Sequence, residues 1–98
     1  MSDLSAFGLG GATTVLSPTT SSNGDAIAPS YGRIRVYNAG GSLAFLRTGV
    51  GAQTAVTTDT PIPPGVVEVF SVPANHTHAA AICASGSATL YITVGKGQ

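Results

Sequence analysis

The chain has 98 residues, enough for one domain and too few for a second core. Only 8% of them are charged, against about 25% in an ordinary soluble domain, and four basic and four acidic residues cancel to zero net charge. That balance excludes a phosphate-tracking nucleic-acid binder, which needs clustered Lys and Arg, and a polybasic membrane anchor.

Residues 1–30 read as an N-terminal arm or loop with one short strand, Ala12–Ser17. The Ser/Thr-rich stretch that follows ends in Asn23-Gly24-Asp25, a strong turn signal. Residues 31–98 read as a β-sandwich core. Tyr31–Asn38 alternates Ile34 and Val36 with Arg33, Arg35 and Tyr37, the period of a half-buried strand. Ala39-Gly40-Gly41 turns the chain into a second strand, Ser42–Thr48, expected to form a hairpin with the first. Gln53–Thr57 reads as a weaker strand. Pro61-Ile62-Pro63-Pro64-Gly65 reads as a rigid extended loop, because proline fixes φ and donates no hydrogen bond.

Val66–Val72 is a further strand, with Val67 and Val69 opposite Glu68, Phe70 and Val72. Two more strands, His78–Ala84 and Ala88–Val94, are expected to pair through the hairpin loop Ser85-Gly86-Ser87. In the last, Leu90, Ile92 and Val94 face in while Thr89, Tyr91 and Thr93 face out. The core is assigned to Ile34, Val36, Leu43, Phe45, Val67, Val69, Leu90 and Ile92. About seven short strands, Gly/Pro turns throughout and no sustained 3.6 period predict an all-β domain. It is expected to be a single β-sandwich or a jelly-roll-like barrel with an extended N-terminal arm.

Catalysis has little to build on. Asp3, Asp25, Asp59 and Glu68 form no acid/base couple by register, and no serine lies in a nucleophile elbow. The Gly-rich stretches at Gly8–Gly11 and Gly49–Gly51 lead into no helix and lack the Lys-Ser/Thr of a phosphate loop. The single cysteine, Cys83, sits in the apolar run Ala79–Ala84 and reads as a small buried hydrophobe; with one cysteine no internal disulfide forms. His76-Thr77-His78 places two imidazoles at i and i+2. The plain reading is a pair of exposed histidines entering a strand; the alternative is a metal shared on a trimer axis. Otherwise no metal and no cofactor is expected. Arg33, Arg35 and Arg47, with Tyr31 and Tyr37, are expected to make one polar-aromatic face. Arg and Tyr are enriched in protein interfaces, so this face is read as a protein contact. Leu4, Phe7 and Leu9 of the arm are read the same way.

Several runs carry a resemblance. They are Arg33-Ile34-Arg35-Val36-Tyr37-Asn38, Ala44-Phe45-Leu46-Arg47, Thr60-Pro61-Ile62-Pro63-Pro64-Gly65, Ala79-Ala80-Ala81-Ile82 and Ser85-Gly86-Ser87-Ala88-Thr89-Leu90-Tyr91-Ile92. Together they resemble small β-rich virion structural proteins of tailed bacteriophages and prophages, of the capsid decoration or cement type, over residues 31–97. The resemblance implies a non-enzymatic virion component. It would be made in the host cytoplasm and bound to the capsid exterior, with the major capsid protein and its own copies as partners. A trimer is the first choice of oligomer. The alternatives are a receptor- or carbohydrate-binding module on a head or tail fibre, and a head–tail or tail component. The scarcity of charge agrees: an uncharged, strand-rich chain tends to associate. No leader is visible in Met1–Gly11 and no apolar run reaches the ~20 residues of a membrane helix, so no membrane partner is expected.

Overall fold

The computed structural model describes residues 13–27, 33–73 and 75–95. It is all-β: eight strands form two four-stranded antiparallel sheets packed as a sandwich. In chain order these are β1 (Thr13–Leu16), β2 (Asn23–Ala26), β3 (Arg33–Asn38), β4 (Ala44–Gly49), β5 (Thr60–Ile62), β6 (Val67–Ser71), β7 (His78–Cys83) and β8 (Leu90–Gly95). The front sheet runs β1-β8-β3-β6 and the back sheet β2-β7-β4-β5. Among the eight described strands, β4 and β5 are consecutive in one sheet; every other consecutive pair is split between the two sheets.

The core lies between the sheets. The front sheet contributes the bulk: Leu16, Ile34, Val36, Leu90, Ile92 and Val94. The back sheet meets it largely with small residues, Ala44, Ala79, Ala81 and Cys83, together with Leu46 and Ile62. Large against small lets the two layers interdigitate at native density. Removing this area from water contributes roughly 25 cal/mol per Å². Ile34, Val36, Leu90, Ile92 and Val94 face in as the alternation predicts.

Two strands are turned the other way. Val67 and Val69 point to solvent, 44% and 48% exposed, and it is Phe70 and Val72 that pack toward the core. On β4 Ala44 and Leu46 are buried, Leu43 is 40% exposed and Phe45 is half-buried. Both segments carry apolar residues in both phases, so alternation alone leaves the face open. Pairing decides it: Val67 lies opposite Tyr37 and Val69 opposite Arg35, which places them on the outward phase of β3.

Both expected hairpins are absent. β3 and β4 lie in different sheets, and so do β7 and β8. The first crossing is organised by Asn38, which is fully buried. Its Nδ2 donates to the carbonyls of Ser42 (2.9 Å) and Ile62 (2.8 Å), and its Oδ1 accepts from the Gly40 amide (2.9 Å). Its backbone N–H donates to the Val66 carbonyl, and its own carbonyl accepts from Gly65. One side chain thus ties the end of β3 to the approach to β4 and to β5 in the opposite sheet. The second crossing, residues 84–89, is held by the β1–β2 connection, with the Ala88 amide on the Pro18 carbonyl (3.0 Å).

Residues 13–27 hold two strands where the sequence predicts one. β1 pairs with β8, and Asn23-Gly24-Asp25, expected to turn, is part of β2 paired with β7. Gln53–Thr57 forms no strand, while Pro61 and Ile62, expected as loop, belong to β5 and pair with β4. Cys83 is buried against the Pro18 carbonyl, and burial pushes its thiol up from the ordinary range. The native protein should therefore react with a thiol reagent at neutral pH no faster than it opens, and fully once unfolded. Rapid labelling of the folded chain would contradict this placement.

Candidate functional site

The outward phase of the front sheet forms a continuous surface whose rows follow from register. One row crosses all four strands as Val15, Tyr91, Tyr37 and Val67. The next runs Thr13, Thr93, Arg35 and Val69, and a third brings Arg33 between Gly95 and Ser71. Val15, Val67, Val69, Tyr37 and Tyr91 are all exposed. The Tyr37 and Tyr91 rings stack, with centroids 6.2 Å apart and planes inclined by 19°. Directly opposed residues on paired strands are close enough for such contact. Beside this pair lies an open cleft of about 460 Å³ lined by Thr13, Arg35, Tyr37, Val67, Tyr91 and Thr93. The Thr13 and Thr93 hydroxyls are hydrogen-bonded to each other at 2.8 Å.

Of the residues assigned from sequence, Arg33, Arg35 and Tyr37 therefore share one face. Tyr31, Leu4, Phe7 and Leu9 lie outside the described residues. Arg47 does not join them. It sits on β4 in the back sheet, where Nη1 donates to the Thr54 carbonyl (2.9 Å) and Nε lies 3.5 Å from Oδ1 of Asp59. A β3–β4 hairpin would put it beside the other arginines; the crossover moves it to the other layer. The sequence reading missed Thr13, Val15, Val67 and Val69 as members of the face. The outward phase of Tyr91 and Thr93 was legible, but their neighbours depend on long-range pairing.

Arg47 instead holds a strap. Residues 52–56 lie over the outside of the back sheet, with Ala55 buried and its amide on Ser22 Oγ (2.9 Å). Asp59 accepts from the Val56 amide (2.8 Å) as well as facing Arg47. The surface beneath is made of small residues. A Cβ at Gly24 would come within 3.1 Å of Ala80 and 3.4 Å of the Gln53 carbonyl, and one at Gly49 would overlap the Gln53 carboxamide. Ala80, on the same phase, is fully buried. So the strap covers Ala80 and Gly49 on the outer side of the back sheet, while β2 stays exposed.

The two histidines are held by different partners. His76 Nδ1 is 2.7 Å from Thr48 Oγ1, and His78 Nδ1 is 2.8 Å from Thr77 Oγ1. His78 also lines a shallow trench with Gly24, Asp25, Ala26, Ala52 and Gln53. Among the described residues no group of three His, Cys, Asp or Glu is placed to hold a metal ion.

On the side where β5 and β6 form the sheet edges, a slot of about 150 Å³ opens between the layers. Ile34, Leu46, Phe70 and Val72 line it together with Arg47, Thr48, Thr60 and Ser71. No protein-family model matches the chain, and no curated protein or solved structure matches it.

Proposed function

We propose that this chain is a structural, non-enzymatic protein of a tailed-bacteriophage particle, a capsid decoration or cement protein bound to the outer shell, and that its sandwich is a jelly roll. The jelly-roll reading is supported by the nesting of the pairs: β1 with β8, β2 with β7, β3 with β6 and β4 with β5. A single antiparallel ribbon rolled up on itself produces that order, and jelly rolls recur in viral shells.

The observation that carries the adhesive role is the open β5/β6 side. β5 is short and carries Pro61, but the five residues of the other edge strand, β6, include one charged residue, Glu68, and the slot between the layers has an apolar floor. Isolated proteins protect such edges with charge, short strands or bulges, and a neighbour's chain does the same work. On this reading capsid subunits and sibling copies cover this side. The chain assembles as a homo-oligomer, a trimer first, with Leu4, Phe7 and Leu9 adding contacts. Many copies bridging capsomer boundaries then add contact energy that opposes shell expansion.

Particles stripped of the protein are expected to release DNA at a lower temperature than intact ones. A gel of purified virions is expected to show it in proportion to the major capsid protein. Unchanged release on heating, or absence from the particle, would overturn the proposal. A second reading, a receptor-binding module on a head or tail fibre, is favoured by the tyrosine-walled cleft. It predicts only a few copies per particle, so the same gel separates the two.

A further inference from the structure

We propose that the cleft on the front sheet binds an acidic oligosaccharide, a chain of carboxylate-bearing sugars lying across the strands against the Tyr37–Tyr91 pair. This goes beyond the particle reading and does not depend on it, because the isolated chain carries the whole site.

Three features of the cleft match three features of such a ligand. Sugar rings present an apolar C–H face, and the stacked tyrosines form a wall for it, flanked by Val67. Sugar rings also present hydroxyls in pairs. The Thr13 and Thr93 hydroxyls lie side by side on the floor at 2.8 Å, each with further capacity to donate or accept. Finally, Arg35 lines the cleft and Arg33 stands two residues away on the same phase of β3. Among the described residues neither faces a carboxylate. Asp59 is paired with Arg47 behind the back sheet, Asp25 lies on β2, and Glu68 lies on the opposite phase of β6 from Val67 and Val69. A guanidinium offers a planar fork that a carboxylate fills with two hydrogen bonds.

The volume is that of a small-ligand site. The cleft lies between two adjacent rows of directly opposed residues, so a linear chain of rings can follow it across β1, β8, β3 and β6. Among the described residues no carboxylate lines the cleft, and the role proposed for it is binding. Two arginines are too few to track a phosphate backbone, which sets nucleic acid aside. A second copy docked face to face here would bring arginines toward arginines, with no acid among the described residues of the face to meet them.

The test uses the whole chain, trigalacturonate as probe, and its methyl ester as the uncharged counterpart. In an amide-resolved NMR titration up to about 10 mM sugar, the acid is expected to move the signals of Thr13, Arg35, Tyr37, Tyr91 and Thr93, and the ester to bind about tenfold more weakly. Tyr37→Ala is expected to abolish the response and Arg35→Gln to weaken it about tenfold, with Arg35→Lys recovering part. Both positions are exposed, and the same spectra report whether each variant is folded. If trigalacturonate and a sialic acid trimer both leave these signals unmoved, the proposal fails. It fails equally if acid and ester bind alike, or if the same signals shift with protein concentration alone because a second copy covers the face. Particle association is measured on virions instead, so loss of one reading leaves the other standing.

Discussion

Asn38→Asp is expected to lower the stability of the chain by about 3–5 kcal/mol at pH 8, the cost of an uncompensated buried charge. The size follows from geometry. Nδ2 is the donor to the Ser42 and Ile62 carbonyls in a site with no exposure to water. An ionised carboxylate has no proton to donate, so two carbonyl oxygens lose their partner and face a negative charge. A domain of this length has about 5–15 kcal/mol in all, and each kcal/mol shifts its melting point by about 4–8 °C. The variant should therefore melt at least ~12 °C lower, or fail to fold.

The deficit should also depend on pH with a definite sign. Burial against carbonyls raises the introduced carboxyl above its ordinary range in the folded state, while in the unfolded chain it titrates near about 3.9. A group raised in the folded state contributes its stability when protonated and loses it as pH rises through the folded value. Protonated, it can donate to one of the two carbonyls. The gap to wild type should thus be smaller at pH 4 than at pH 8. Denaturant titrations at the two pH values measure this, and a deficit under about 1 kcal/mol at pH 8 would show that Asn38 is no cross-brace.

Gly40→Ala should cost about 3 kcal/mol, while Gly41→Ala, one residue on, should be nearly neutral or slightly stabilising. A Cβ on Gly40 would overlap the Ala88 backbone and come 2.8 Å from the Thr89 amide nitrogen, whereas a Cβ on Gly41 meets nothing within 4 Å. Neither glycine has a positive φ, so both replacements are tolerated by the local backbone, and the contrast isolates sterics. The atoms in the way are main chain and cannot swing aside. Accommodating a methyl group means separating residues 39–41 from residues 88–89, where the Ala39 amide donates to the Thr89 carbonyl at 2.8 Å. Paired thermal melts decide it; equal melting points for the two variants would mean that the crossover is loosely packed.

These two predictions also mark where sequence reasoning stops. Gly40 and Gly41 are indistinguishable in the sequence, and both read as turn residues. Their difference is made by a segment almost fifty positions away. Asn38 likewise reads as the polar end of a strand, and nothing nearby announces that Ile62 needs its donor.

The candidate face divides in the same manner. That Arg33, Arg35 and Tyr37 share one side of a strand is a property of the period-2 backbone and was legible. That Tyr91 stacks on Tyr37, that Val67 and Val69 extend the surface outward, and that Arg47 belongs to the other layer all depend on which strands pair.

Taken by itself, the order of residues determined the class of structure. Thr, Val and Ile in alternation, broken every few positions by Gly and Pro, commit the backbone to short strands. The same residues fixed the inward faces of β3 and β8, where one phase alone is apolar. Tertiary structure decided what local patterns leave degenerate: the sheet each strand joins, the phase of β4 and β6, and therefore which side chains meet in the cleft. The reason is physical. Alternation specifies a strand and, at best, its own two sides, whereas partner and register are chosen by contacts between distant segments that bury the Leu, Ile and Val of one layer against the alanines of the other.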